Sequence, residues 1–265
     1  MNNPVYIPNP VMDRMRAGEP ALGMTVRMGH SGDIVRIAKS TGHDFIFIDV
    51  QHSLYNLETV GHMAQVALGC GIAPMVRVRS VDDPNVSLYL DNGVTGIIFP
   101  DVNTAADAQR GVDAAKFAPV GKRSVCGGYP HFDFRVVPLT QSVPALNDAA
   151  LVVCMIETVV GLNNVEAIAA VKGVDVIHVG SNDLLVNMGK PGKFEDPEIV
   201  AAQERCIAAA KAHGKFAGIG GNRDVERQAA AVRKGCLYVT TQTDIGFLTA
   251  AAGQWTRGVR EALQK

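Results

Sequence analysis

The sequence predicts an α/β fold: one (β/α)8 TIM barrel over residues 1–265, a single domain with a long loop before the fifth strand. Three observations predict it. Eight short, β-branched apolar runs recur along the chain. Helical patterns separate most of them. The runs are near-continuously hydrophobic, as strands covered on both faces are. The rival is an open doubly wound sheet, which carries G-x-G-x-x-G after its first strand. The turn here reads Arg27-Met28-Gly29-His30-Ser31-Gly32 instead.

In order, the expected strands are Leu22–Val26, Phe45–Asp49, Pro74–Val78, Gly96–Phe99, Leu151–Ile156, Asp175–Val179, Phe216–Ile219 and Leu237–Thr240. Between them, helices are expected at Asp33–Thr41, Leu57–Cys70, Ala105–Ala115, Leu162–Val171, Pro197–His213 and Arg223–Lys234. Asp33 and Thr104 are expected N-caps, and Gly214 and Gly235 stand just past helix ends. The stretch from Phe117 to Asn147 breaks the rhythm and holds one short helix near Pro138–Leu146. Its residues His131, Phe132 and Arg135, with Tyr55, are candidates to line a substrate pocket.

Composition narrows the function. Apolar residues make up 47% and charged residues 19%, which excludes a disordered chain. The net charge of −1, from 25 basic and 26 acidic residues, supplies no basic stripe for nucleic acid. Neither a signal peptide nor an 18-residue apolar span is read, so no membrane partner is expected. The five cysteines are scattered without C-x-x-C, and Cys154, Cys206 and Cys236 sit among apolar neighbours. They read as buried reduced thiols of a cytoplasmic protein.

Barrel chemistry sits at the C-terminal ends of strands. Strand two ends in Asp49-Val50-Gln51-His52, and Arg77 lies near the end of strand three. Strand five ends in Glu157, and strand six runs into Gly180-Ser181-Asn182-Asp183. Glu157 and Asp183 can chelate one hard divalent cation, and all-oxygen ligands suit Mg²⁺ or Mn²⁺, with Co²⁺ and Zn²⁺ as alternatives. Arg77 suits a planar anion such as a carboxylate or enolate. His52 is a candidate general base, with Asp49 and Asp91 as candidates to orient it. None of the ten lysines falls at a strand's C-terminal end, so a Schiff-base mechanism is not expected. Gly218-Ile219-Gly220-Gly221-Asn222 reads equally as a phosphate loop or as a tight strand-to-helix turn.

Taken together, several segments resemble the metal-dependent class II 2-oxoacid aldolases of the HpcH/HpaI family. They are Asp44–Glu58, Pro74–Val78, Leu90–Gly93, Gly96–Pro100, Pro119–Arg123, Ile156–Thr158 and Val179–Leu184. The resemblance covers about residues 20–250. It implies a (β/α)8 barrel that assembles as a homohexamer and acts on a small 2-oxoacid and an aldehyde. By resemblance Glu157 and Asp183 hold the divalent metal, Arg77 steadies the substrate and its enolate, and His52 is the base, oriented by Asp91. Gln51, Gly180 and Ser181 are further substrate-binding positions. Gln51 stands where the family usually has Glu, Met155 where many members carry Gln, and Ser181 where Pro is frequent. The implied reaction is reversible cleavage of a 4-hydroxy-2-oxoacid to pyruvate, or a related 2-oxoacid, and an aldehyde. The alternatives are a 2-oxoacid decarboxylase, a citryl-CoA-type lyase, or a non-catalytic 2-oxoacid-binding barrel.

Overall fold

The computed structural model describes residues 5–264, so Met1–Pro4 and Lys265 lie outside the described residues. Eight parallel strands close in sequence order: β1 (Ala21–Val26), β2 (Phe45–Asp49), β3 (Ala73–Arg77), β4 (Gly96–Phe99), β5 (Leu151–Ile156), β6 (Val176–Gly180), β7 (Phe216–Gly220) and β8 (Cys236–Thr243). All eight expected strands are present; β2, β4 and β5 keep their expected bounds, and the other five differ by one to three residues at one or both ends. Helices α1 (Pro10–Arg16), α2 (Gly32–Ser40), α3 (Leu57–Cys70), α4 (Val86–Asp91), α5 (Ala105–Ala115) and α6 (Leu139–Ala149) precede β5. After it come α7 (Val159–Asn163), α8 (Val165–Ala169), α9 (Ser181–Asn187), α10 (Pro197–Ala212), α11 (Val225–Arg233) and α12 (Asp244–Ala262).

The strands read as continuously apolar because alternate residues serve two cores. Ile46, Ile48, Val76, Ile97, Val152, Cys154, Ile177 and Val239 pack outward beneath the helices. Phe45, Phe47, Met75, Ile98, Val153, Met155 and Tyr238 fill the barrel interior. The interior is closed from below by α1, a helix the sequence reading did not anticipate. Val11, Met12 and Met15 share one face of it and join the interior cluster. Pro10 opens this helix and Asn9 caps it, the Asn9 Oδ1 accepting from the amides of Val11 at 3.2 Å and Met12 at 3.4 Å. The Asn9 amide also donates to the Ala149 carbonyl at 2.8 Å, which ties the plug to the end of α6.

Some expectations need correction. Ser31, not Asp33, is the N-cap of α2; Asp33 lies in its first turn. Thr104 does cap α5, in a reciprocal box with Asp107. The helix expected over 162–171 is split at Asn164, whose side-chain amide donates to the Asn103 carbonyl at 2.8 Å. The long loop does not reach the C-terminal mouth. Phe117, Tyr129, Phe132, Leu146 and Ala149 make a separate apolar cluster, and His131 Nε2 meets the Val94 carbonyl at 3.2 Å, beside the start of β4. His131 and Phe132 are thus placed at the strands' N-terminal end, and Tyr55 is buried with its hydroxyl donating to the Gly29 carbonyl. Cys154, Cys206 and Cys236 are buried and free, and burial pushes each thiol up to about 12.

Candidate active site

Four of the charged residues singled out in the sequence line one cavity at the C-terminal mouth: His52, Arg77, Glu157 and Asp183, with Gly180 beside them. The cavity encloses about 770 Å³ including its open mouth. No lysine is among its lining residues. Glu157 follows β5 and is 3% exposed. Its Oε1 accepts from the Asp101 amide at 2.9 Å, and Asp101 holds that amide in place at φ +52°, a strained conformation for a non-glycine residue. A Cβ at Gly180 would lie 2.5 Å from Glu157 Oε2, so the glycine makes room for the carboxylate. Burial, reinforced by Asp101 and Asp183, pushes the Glu157 carboxyl up to about 7. A buried carboxyl beside the carboxylates of Asp101 and Asp183 is an environment that a hard cation stabilises.

Across the mouth, Asp49 organises the β2–β3 side. It is fully buried and accepts from Arg77 through both oxygens, Nε to Oδ1 at 3.1 Å and Nη2 to Oδ2 at 2.8 Å. Its Oδ1 also accepts from the amides of Gln51 and His52, each at 3.2 Å. Arg77 stacks over the Phe47 ring at 5.4 Å. One carboxylate therefore aims a guanidinium into the cavity and shapes the loop that carries His52.

The remaining expected positions lie elsewhere. Asp91, at the end of α4, accepts from the buried Arg123 at 2.6 Å and is outside the cavity, so within this chain it does not orient His52. Gln51 and Ser181 do not line the cavity either; Gln51 Oε1 and Ser181 Oγ are buried without a hydrogen-bond partner among the described residues. Three further basic side chains do line it: Arg27, His178 and Arg223. Arg27 directly follows β1. Arg223 stands one position past the Gly220-Gly221-Asn222 turn. His178 lies inside β6 rather than at its end, and its signal was an imidazole two residues before Gly180, on the same inward face.

The glycines of β7 have a specific use. A Cβ at Gly218 would come within 2.7 Å of His178 Nδ1, and one at Gly220 within 2.6 Å of Nε2. They seat the His178 ring. Gly221, at φ +84°, turns the chain against Asn182.

The HpcH/HpaI aldolase/citrate lyase family matches residues 26–247. The chain belongs to that family. It is 37% identical over 249 residues to a 4-hydroxy-4-methyl-2-oxoglutarate aldolase of Chaetomium globosum, covering 92% of each chain. It is 30% identical to a 4-hydroxy-2-oxo-heptane-1,7-dioate aldolase of Salmonella typhimurium, again covering 92% of each. The crystal structure of an HpcH/HpaI aldolase from Desulfitobacterium hafniense superposes with a TM-score of 0.90 at 28% identity, covering 94% of this chain and 96% of that one.

Proposed function

We propose that this family member is a class II aldolase that reversibly cleaves a 4-hydroxy-2-oxoacid to pyruvate, or a related 2-oxoacid, and an aldehyde. The observation that carries the reading is one cavity lined by Glu157, Asp183, Arg77 and His52 and by no lysine. Glu157 and Asp183 would hold a divalent cation, Mg²⁺ or Mn²⁺ by their oxygen chemistry. When bound, such an ion supplies Lewis-acid polarisation of the substrate's keto group. Two carboxylate ligands would leave the remaining positions around the ion to substrate oxygens and water.

The chain's own residues do the rest. In the cleavage direction the C4 hydroxyl gives up its proton, the C3–C4 bond breaks, and its electron pair passes into the 2-oxoacid as the enolate. C3 then takes a proton. His52, at the open side of the cavity, holds the proton between these events. Arg77, fixed by Asp49, faces the charge that develops. Orientation of His52 by Asp91 requires Asp91 of a second copy, since within one chain Asp91 lies outside the cavity that His52 lines. A homohexamer, which the family resemblance implies, supplies neighbouring copies, and the exposed Phe247, Leu248, Trp255 and Val259 of α12 support an oligomeric surface. No described helix is long and apolar enough to cross a membrane. The free thiols support a cytoplasmic setting.

The test is pyruvate release from 4-hydroxy-4-methyl-2-oxoglutarate, the substrate in the name of the Chaetomium globosum relative. Cleavage of its C3–C4 bond gives two pyruvates, a keto acid taking the place of the aldehyde. Release should require Mg²⁺ or Mn²⁺, stop with EDTA, and fall by about 10²–10⁴-fold in His52→Ala. Release that persists in EDTA, or that is indifferent to His52→Ala, contradicts the assignment.

A further inference from the structure

His52 sits on an irregular segment, residues 50–56, that joins β2 to α3. A loop holds a reactive side chain in one place only where other groups fix its backbone. Here both backbone groups of His52 are engaged. Its amide donates to Asp49 Oδ1 at 3.2 Å, and its carbonyl accepts from Arg27 Nη2 at 3.2 Å. Arg27 Nε lies 3.5 Å from Asp49 Oδ2, so the two anchors are themselves paired. Further along the segment, the Tyr55 hydroxyl donates to the Gly29 carbonyl at 2.9 Å, and the Tyr55 ring lies 4.6 Å from that of His30. Arg27, Gly29 and His30 all belong to the turn between β1 and α2.

That turn is gripped in its own right, from the place where β8 runs into α12. Asp244, the first residue of α12, is 4% exposed. Its carboxylate accepts from three successive amides of the turn: Arg27 at 3.1 Å, Met28 at 2.9 Å and Gly29 at 2.8 Å. Its Oδ1 also accepts from the Ile245 amide at 2.9 Å. Four backbone donors match the acceptor capacity of an ionised carboxylate, so the charge is satisfied without a cation. The turn is also tightly seated, since a Cβ at Gly29 would come within 2.8 Å of Ile34. Asp244 does not line the cavity, whereas Arg27 and His52 do. A continuous series of contacts thus runs from a carboxylate outside the cavity, through a backbone turn, to the candidate base.

We propose that Asp244 and Arg27 are positioning residues for His52. Asp244 locks the turn, Arg27 reaches from it to hold the His52 carbonyl, and Gly29 holds Tyr55. Two of the three guanidinium nitrogens of Arg27 are committed to the segment that carries the base and to its anchor. Its part is therefore to place the imidazole rather than to bind substrate. Proton transfer needs the base within hydrogen-bond reach of the reacting atom, and a small displacement of it costs rate rather than substrate affinity. The proposal rests on the reading of His52 as the base of the enolate chemistry, and it assigns that base the support it acts from.

The test follows exchange of the pyruvate methyl protons in heavy water with Mg²⁺ or Mn²⁺. It uses Arg27→Met, Arg27→Lys, Asp244→Asn and the double variant of Arg27→Met with Asp244→Asn. The maximal rate should fall about 10- to 100-fold in Arg27→Met and in Asp244→Asn, with the half-saturating pyruvate concentration unchanged. Arg27→Lys keeps a donor for the carbonyl and should recover most of the rate. The double variant should lose no more than Asp244→Asn alone, because the two residues act in series. Amide hydrogen exchange, read by mass spectrometry, should quicken over residues 50–56 in both single variants and stay unchanged over α10. The Arg27 side chain is 39% exposed, so Arg27→Met empties no core and carries the test if Asp244→Asn does not fold. A raised half-saturating concentration at an intact maximal rate makes Arg27 a substrate ligand and overturns the proposal. So do losses that multiply in the double variant, or amide exchange over residues 50–56 that matches the wild type. Failure of the aldolase reading shows separately, as a wild type that exchanges no methyl protons with either metal. The amide exchange then still decides whether Asp244 and Arg27 hold the His52 segment.

Discussion

The two ends of this barrel obey opposite rules. At the N-terminal end, α1 drives Val11, Met12 and Met15 into the interior, and Asn9 satisfies the helix amides and a neighbouring carbonyl. At the C-terminal mouth, a buried glutamate faces other carboxylates, and Arg27, Arg77, Arg223 and a buried histidine line the same cavity. One end spends its sequence on packing. The other gathers charged groups of both signs around one cavity, where a ligand can meet them. Substitutions should therefore separate the ends, costing stability at the bottom and chemistry at the top.

The largest effect should come from Glu157→Gln. It removes a carboxylate from the cation site, and turnover should fall by about 10³-fold or more. Its melting temperature in EDTA should be no lower than the wild type's, because a buried charge is replaced by a neutral isostere. A fall of both activity and melting temperature would make Glu157 a structural residue and erase the contrast. Met15→Ala is the mirror test. Emptying a fully buried site in the plug should cost about 2–5 kcal/mol in denaturant unfolding, with kcat per folded molecule preserved.

His131 sharpens the comparison through pH. Burial pushes its imidazole down to about 4 from the usual 6.5. The unfolded chain then binds a proton that the folded chain does not, and the stability present above pH 6.5 is lost as pH falls toward 4. Denaturant titrations across that window should show a slope that His131→Gln flattens. The smallest effect expected is Asn9→Ala, at roughly 1–2 kcal/mol, from loss of the α1 cap and its tertiary hydrogen bond. An unchanged midpoint would show that the plug is held by its apolar face alone.

Most of the barrel was legible because a strand covered on both faces is a local signal. β2 and β5 are apolar at nearly every position, and their bounds follow from that. The plug helix was not legible, since seven residues carrying three apolar side chains acquire meaning only from the cavity they fill. At the mouth, His52, Arg77, Glu157 and Asp183 could be read because they follow strands. His178 was missed because it sits within one, and the purpose of Gly218 and Gly220 becomes visible only with its ring between them. Asp91 reads as a partner of His52 by resemblance, yet the fold of one chain gives it to Arg123. That difference is a matter of tertiary placement, which no local pattern encodes.

The most direct test of the central claim is proton exchange at the methyl group of pyruvate in heavy water, followed by NMR. With Mg²⁺ or Mn²⁺ the account predicts steady loss of the methyl signal, abolished by EDTA and strongly slowed in His52→Ala. A methyl signal that persists with either metal, or exchange that continues in EDTA, would contradict a cation-dependent enolate site at this barrel mouth.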